Sequence, residues 1–223
     1  MLLDKTTFSV RTEIQVNKAI TLGGAGENWE TVLDGENANN NILKISVPGA
    51  TVHSLTYTRC GIKWANKIGL EMTADSMVSN VVARENGNAM ADNTQGRFVM
   101  YVSAGFVTHC CITNNNAPNN AGIRLDGSSR MENCYIADNV DRGVSGGGFA
   151  GIVVAYGSAT VCNCTIINNK SDYSAFYYGS SNAKVYNNII WGNTTKTEPS
   201  VTANWAFNQP TWLKTNWKCN CLS

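Results

Sequence analysis

The sequence predicts an all-β chain wound as a single-stranded parallel β-helix of about seven coils. Three observations predict it. A row of residues recurs along most of the chain. Its apolar segments are short and alternate with a period of two. A column of asparagines keeps its place in the row while the spacing between rows changes.

The row is plainest in "ATVCNCTIINN", Ala159 to Asn169, and returns as "GFVTHCCITNN", "SRMENCYIADN" and "AKVYNNIIWGN". Anchored on the first apolar residue, the rows begin at Val52, Val78, Val107, Met131, Val161 and Val185, with gaps of 26, 29, 24, 30 and 24 residues. The third position after the anchor holds Leu55, Val81, Cys110, Cys134, Cys164 and Asn188. The fifth holds Tyr57, Ala83, Ile112, Ile136, Ile166 and Ile190. The eighth holds Cys60, then Asn86, Asn115, Asn139, Asn169 and Asn193. A fixed column over uneven gaps marks a repeat architecture. Alternation over a few residues is a strand signal, and helical spacing is nowhere sustained.

A shorter segment precedes each later row: "GLEM", "RFVMY", "GIRLD", "GIVVA" and "AFYYG". Measured from Leu70, Phe98, Ile123, Ile152 and Phe176, the next anchor follows after 8, 9, 8, 9 and 9 residues. Length variation is therefore expected in the loop after the closing asparagine, as in Val140–Ala150 and Lys170–Ser174. With those five residues inward, the outward column reads Glu71, Val99, Arg124, Val153 and Tyr177. Two residues on it reads Thr73, Tyr101, Asp126, Ala155 and Gly179.

Three short strands per turn suit stacked coils about 4.7–4.9 Å apart, which place like on like. Val, Ile and Cys then form core ladders. An asparagine at a turn tolerates a left-handed backbone and bonds the coils above and below. The β-helix is expected over residues 1–193. Residues 194–223 change character and are expected to cap its open strand edges, with Trp205, Trp212 and Trp217 over the last apolar layer. "FSVRTEIQVNKAITLGGAG" reads as strands already under way, so the chain is expected to be a segment of a longer one.

Composition narrows the function. Only 15% of the 223 residues are charged, and the net charge is +1. That gives no basic face for nucleic acid. No apolar run reaches the 18 residues of a membrane span. "MLLDKTTFSV" lacks the design of a signal peptide.

Eight cysteines occur without a CxxC pair, which argues against zinc. Cys110, Cys134 and Cys164 share an inward column whose side chains run parallel, so they are expected to be buried free thiols. Cys111 and Cys162 are expected to face outward and to be oxidisable. The disulfide state of Cys60, Cys111, Cys162, Cys219 and Cys221 stays open. His109 takes a turn-ladder position and is expected to be buried or half-buried. The sequons at Asn163 and Asn193 fall in ladder columns, where a side chain already in use would not be glycosylated.

The rows "VTHCCITNN", "VCNCTIINN" and "VYNNIIWGN", with "GGAGENWETVLDG" upstream, resemble right-handed parallel β-helix proteins. More narrowly they resemble the repeat-bearing bacterial secreted and surface proteins of the pectate-lyase-like superfamily, including the polymorphic outer-membrane type. The resemblance spans roughly Thr21 to Asn193. It implies a right-handed coil, a secreted or cell-surface location, and a polysaccharide or cell-surface glycan as partner on the exposed sheet face. It does not extend to a complete catalytic motif: paired aspartates, Gly-His-Gly and Arg-Ile-Lys are absent. For a lyase or hydrolase it leaves Arg124 or Lys170 as base, with Asp126 and Asp141 holding a calcium ion and no other cofactor implied. For binding it leaves Glu71, Tyr101, Arg124 and Tyr177, with Arg142 on the adjoining loop. The alternatives are a non-catalytic structural or adhesive surface module and a phage-type fibre segment. The sequence does not fix the oligomeric state.

Overall fold

The computed structural model describes residues 1–37, 41–61, 69–87, 98–117, 121–142, 152–171, 175–178, 180, 182–195, 207–208, 217–218 and 221–222. Among them every regular element is a strand. The strands stack in parallel into sheets of sixteen, eight and four. Leu22, Val52, Val78, Val107, Met131, Val161 and Val185 pair in register one above the next. These stacked anchors enclose about six turns of a parallel β-helix.

The row occupies the sixteen-stranded sheet. Its first half forms Phe106–Thr108, Arg130–Glu132, Thr160–Cys162 and Lys184–Tyr186; its second half forms Cys111–Thr113, Tyr135–Ala137, Thr165–Ile167 and Ile189–Trp191. In the earlier turns Thr51–Thr58 and Met77–Arg84 run through both halves without a break. The shorter segments form the eight-stranded sheet, among them Leu43–Ile45, Leu70–Met72, Met100–Val102, Ile123–Leu125, Val153–Ala155 and Phe176–Tyr178. A fourth, two-residue strand follows the closing asparagine in four turns: Asn116–Ala117, Val140–Asp141, Lys170–Ser171 and Thr194–Thr195. These four turns thus carry one more strand than the sequence suggests, because the first residues after the closing asparagine are already paired.

The backbone at the C-terminus adds one strand to the eight-stranded sheet and two to the sixteen-stranded sheet: Phe207–Asn208 pairs with 176–177, while Trp217–Lys218 and Cys221–Leu222 pair with 185–186 and 189–190. The capping contacts expected of Trp205 and Trp212, and the side chains of Trp217, Cys219 and Cys221, lie outside the described residues.

Two left-handed corners shape each row. At the second position after the anchor, Ser54, Asn80, His109, Asn133, Asn163 and Asn187 have φ between 50° and 56°. At the seventh, Arg59, Glu85, Asn114, Asp138, Asn168 and Gly192 have φ between 50° and 63°. Asparagine and aspartate adopt this region at low cost, which explains their enrichment there. The eighth-position asparagines are therefore a separate device. The left-handed residue turns the chain, and the next residue swings its carboxamide into the interior.

That carboxamide does the same work in every coil. Asn139 Oδ1 accepts from Asn115 N–H (3.1 Å) and Asn115 Nδ2 (2.8 Å), while Asn139 Nδ2 donates to Ile112 C=O (2.8 Å) and Asn169 Oδ1 (2.9 Å). The chain of bonds runs from Cys60 N–H through Asn86, Asn115, Asn139 and Asn169 to Asn193. A buried amide left unpaired costs on the order of 1–3 kcal/mol, so an interior polar column persists only when both ends of each amide are met.

The third-position column is a thiol ladder. Cys134 Sγ donates to Glu132 C=O (3.2 Å) and, more weakly, to Val107 C=O (3.9 Å); Cys110 and Cys164 repeat the arrangement. All three are free and buried. Asn188 closes the column and donates to the corresponding carbonyls, Tyr186 C=O (3.0 Å) and Val161 C=O (3.2 Å).

Three exposures differ from the sequence reading. Cys162 does lie in the outward register, between Glu132 and Tyr186, yet it is fully buried. Arg130, bonded to Glu132, reaches over it, with Nη2 at 4.0 Å from its Sγ. His109 is exposed because its corner projects into solvent, and its Nδ1 is 2.8 Å from Thr108 Oγ1. Asn163 is exposed at the equivalent corner, whereas Asn193 is engaged in the ladder.

Candidate functional site

The site candidate is the outward face of the eight-stranded sheet, and its register differs from the sequence reading in two turns. The inward column is Leu43, Leu70, Met100, Ile123, Val153 and Phe176. Phe98 and Ile152 are not in it. For Phe98 the reason is the turn leading into the row, which spans residues 103–105 there but 126–129 and 156–159 in the next two coils. The shorter turn puts Met100 seven residues before Val107, whereas Ile152 stands one residue ahead of its strand, Val153–Ala155, whose turn keeps its length.

Corrected, the outward column reads Lys44, Glu71, Tyr101, Arg124, Val154 and Tyr177. Tyr101 therefore joins Glu71, Arg124 and Tyr177 in one line, while Val99 and Val153 are buried. Asp126 and Tyr156 stand one step past the strand, each held by its backbone N–H on the preceding coil: to Val102 C=O and Leu125 C=O, both at 2.8 Å. The glycines after them fix the turn. Gly127 and Gly157 have φ of 60° and 62°, and a Cβ on Gly157 would stand 2.9 Å from Gly127 O. Only glycine combines the left-handed turn with that close stacking.

Arg124 is the centre of the cluster. Its Nε donates to Asp126 Oδ1 (2.9 Å) and Oδ2 (3.1 Å), and Tyr101 Oη donates to Asp126 Oδ2 (3.0 Å). Its guanidinium carbon lies 4.8 Å from the Tyr156 ring centroid, 5.3 Å from Phe98 and 5.9 Å from Tyr101. Tyr156 and Tyr177 meet with centroids 5.7 Å apart, and Phe98 stacks on Tyr101 at 6.1 Å. On the two coils before Tyr101, Lys44 Nζ is 3.1 Å from Glu71 Oε2. Burial pushes the Tyr101 phenol above its ordinary pKa, and the hydrogen bond to Asp126 adds to this. Burial, then the contact with Tyr177, raises Tyr156 further. Both phenols stay protonated at neutral pH and keep their donors.

The remaining sequence candidates stand elsewhere. Lys170 is exposed on the four-stranded sheet, where it pairs in register with Val140 and Thr194. Asp141 is buried between Ala117 and Ser171 in the same sheet and accepts from Ser171 Oγ at 2.9 Å. Arg142 follows it, half-buried, with its N–H on Ala117 C=O at 2.9 Å. Asp126 and Asp141 thus belong to different sheets. Calcium takes six to eight oxygen ligands. Among the described residues no group of three metal-donor side chains assembles. Asp126 and Asp141, on different sheets, do not form such a donor set together. The loops expected to wall the face, 143–150 and 172–174, lie outside the described residues.

Tyr156 and Phe98 are the members that sequence reasoning missed. "DGSS" at Asp126 and "YGSA" at Tyr156 are equivalent turns, and aligning their glycines would have placed Tyr156 beside Asp126. Phe98 had no comparable signal, since its register depended on the shorter turn.

The sequence profile described as "Right handed beta helix region" matches residues 33–190. The chain belongs to that family, and its coil is right-handed. Comparison with curated proteins and with solved structures returns no match. No helix among the described residues is long and apolar enough to cross a membrane.

Proposed function

We propose that this chain is a secreted or cell-surface β-helix module that binds polysaccharide on the outward face of its eight-stranded sheet. The observation that carries the reading is the aromatic shelf of Tyr101, Tyr156 and Tyr177 gathered around Arg124. Tyrosine offers an apolar ring face with a polar tip, which suits a sugar ring and its hydroxyls. Tyr101, Arg124 and Tyr177 stand on coils stacked about every 4.8 Å, close to one sugar residue, with the buried Val154 between Arg124 and Tyr177, so an extended polymer would meet them along its length. Binding is favoured over processing. Asp126 is already engaged by Arg124 and Tyr101, Arg124 Nε is spent on Asp126, and Lys170 and Asp141 stand on another sheet.

The test is affinity electrophoresis through a panel of polysaccharides. Tyr177→Ala is expected to weaken binding about tenfold, roughly one lost aromatic contact, with little change in Tm. Retention of the parent's mobility shift by Tyr177→Ala would remove this face as the site. A non-catalytic adhesive role is the second reading. It draws on Tyr135, Ile189 and Trp191, which are exposed on the sixteen-stranded sheet at 41%, 50% and 54%.

A further inference from the structure

The geometry points to an uncharged, hydroxyl-rich glycan as the ligand of the Arg124 face, with Asp126 acting as the residue that turns acidic polymers away. The inference rests on the polysaccharide-binding reading above and narrows it to a ligand class. Along the described outward column the charged side chains are Lys44, Glu71 and Arg124, with Asp126 one step past the strand. They form two closed pairs, Lys44 with Glu71 and Arg124 with Asp126, and their charges sum to zero. Nε of Arg124 is spent on both oxygens of Asp126. Phe98, Tyr101 and Tyr156 surround the rest of the guanidinium. The side chains of Arg124 and Asp126 are only 26% and 19% exposed, so water screens them weakly.

A uronate laid on this face would have to displace Asp126 from Arg124. The displaced carboxylate would remain in the half-buried site, lacking its cation and beside a second anion. Like charges brought together at an interface oppose binding strongly. A polyuronate also carries about one negative charge per sugar. At roughly 4.8 Å per coil its carboxylates would pass Glu71 as well as Asp126. A neutral sugar meets none of these penalties. Its ring stacks on the tyrosines, and its hydroxyls donate to the carboxylate oxygens that Arg124 and Tyr101 already orient.

The experiment compares neutral polymers (a β-glucan, a mannan and a xylan) with polygalacturonate and alginate. Binding of the intact protein is measured by affinity electrophoresis and calorimetry at low salt, then repeated with Asp126→Asn. Binding of at least one neutral polymer and of neither acidic one is expected. In Asp126→Asn the freed guanidinium is expected to raise affinity for the acidic polymers by about tenfold or more. If the intact protein prefers polygalacturonate or alginate, the ligand class is wrong while the polysaccharide reading stands. If Asp126→Asn stays blind to acidic polymers, Asp126 is not the excluding residue. Failure to bind any polymer overturns both readings. The comparison on the intact protein holds even if the variant folds poorly.

Discussion

The two interior corners of each row solve one problem with different chemistry. At the eighth position a carboxamide faces the interior; at the third position a thiol does, until Asn188 takes its place. Both columns donate to carbonyls of the preceding coil, and the third-position column also donates to carbonyls of its own coil. Only the amide also accepts. Asn139 Oδ1 receives two bonds from Asn115, and Asn188 Oδ1 receives Cys164 N–H at 2.9 Å. The asparagine ladder is therefore a two-way relay that ties each coil to the next. The thiol ladder is a one-way series of weak bonds in a small apolar plug. Shape and position alone do not decide what a ladder contributes; the count of donors and acceptors met does.

The sharpest way to break this comparison is to cut each ladder at the same depth. Asn139→Ala strands Asn115 N–H and Ile112 C=O in the interior and is expected to cost about 3 kcal/mol. Cys134→Ala removes one weak donor and a small volume and is expected to cost about 1 kcal/mol. Urea melts of both variants measure the difference, and equal losses would mean that the amide's acceptor role adds nothing.

A smaller effect comes from pH and labelling. The neighbouring thiols of the column, with burial, hold Cys134 and Cys164 well above the ordinary thiol pKa, and burial raises Cys111. A group whose folded pKa is raised contributes its stability below the unfolded value and loses it as pH rises toward the folded one. Stability is therefore expected to fall progressively above about pH 8.5, where unfolded thiols ionise. Substituting Cys134 and Cys164 by alanine is expected to flatten that alkaline limb. Among the described cysteines Cys111 is expected to react first with a thiol reagent, and slowly at neutral pH. Cys162 is expected to stay protected beneath Arg130. Native labelling of Cys162 ahead of Cys111 would contradict the cover seen here.

The smallest expected change is the most instructive. Cys134→Asn writes the eighth-position chemistry into the third-position column, as Asn188 already does. It is expected to shift stability by about 1 kcal/mol or less in the favourable direction. A large loss would show that the column is packed to fit sulfur.

The sequence alone determined three strands of each coil, the apolar columns of the row and the interior asparagines. These depend on a two-residue alternation and on identity between coils, both readable along the chain. Resemblance in the rows added the handedness, and the family match bears it out. Tertiary structure decided whatever depends on neighbours some 24–30 residues away. It set the register of Met100 over Leu70, because a turn shortened to residues 103–105 shifts a strand without altering its pattern. It buried Cys162 in an outward register, because Arg130 and Glu132 of the preceding coil close over it. It also drew Tyr156 and Phe98 onto Arg124 and left Asp141 on another sheet. Alternation tells a side chain which face it leaves from. Which neighbours it then meets is settled only when the coils stack, since turn length sets the offset and long side chains choose what to cover.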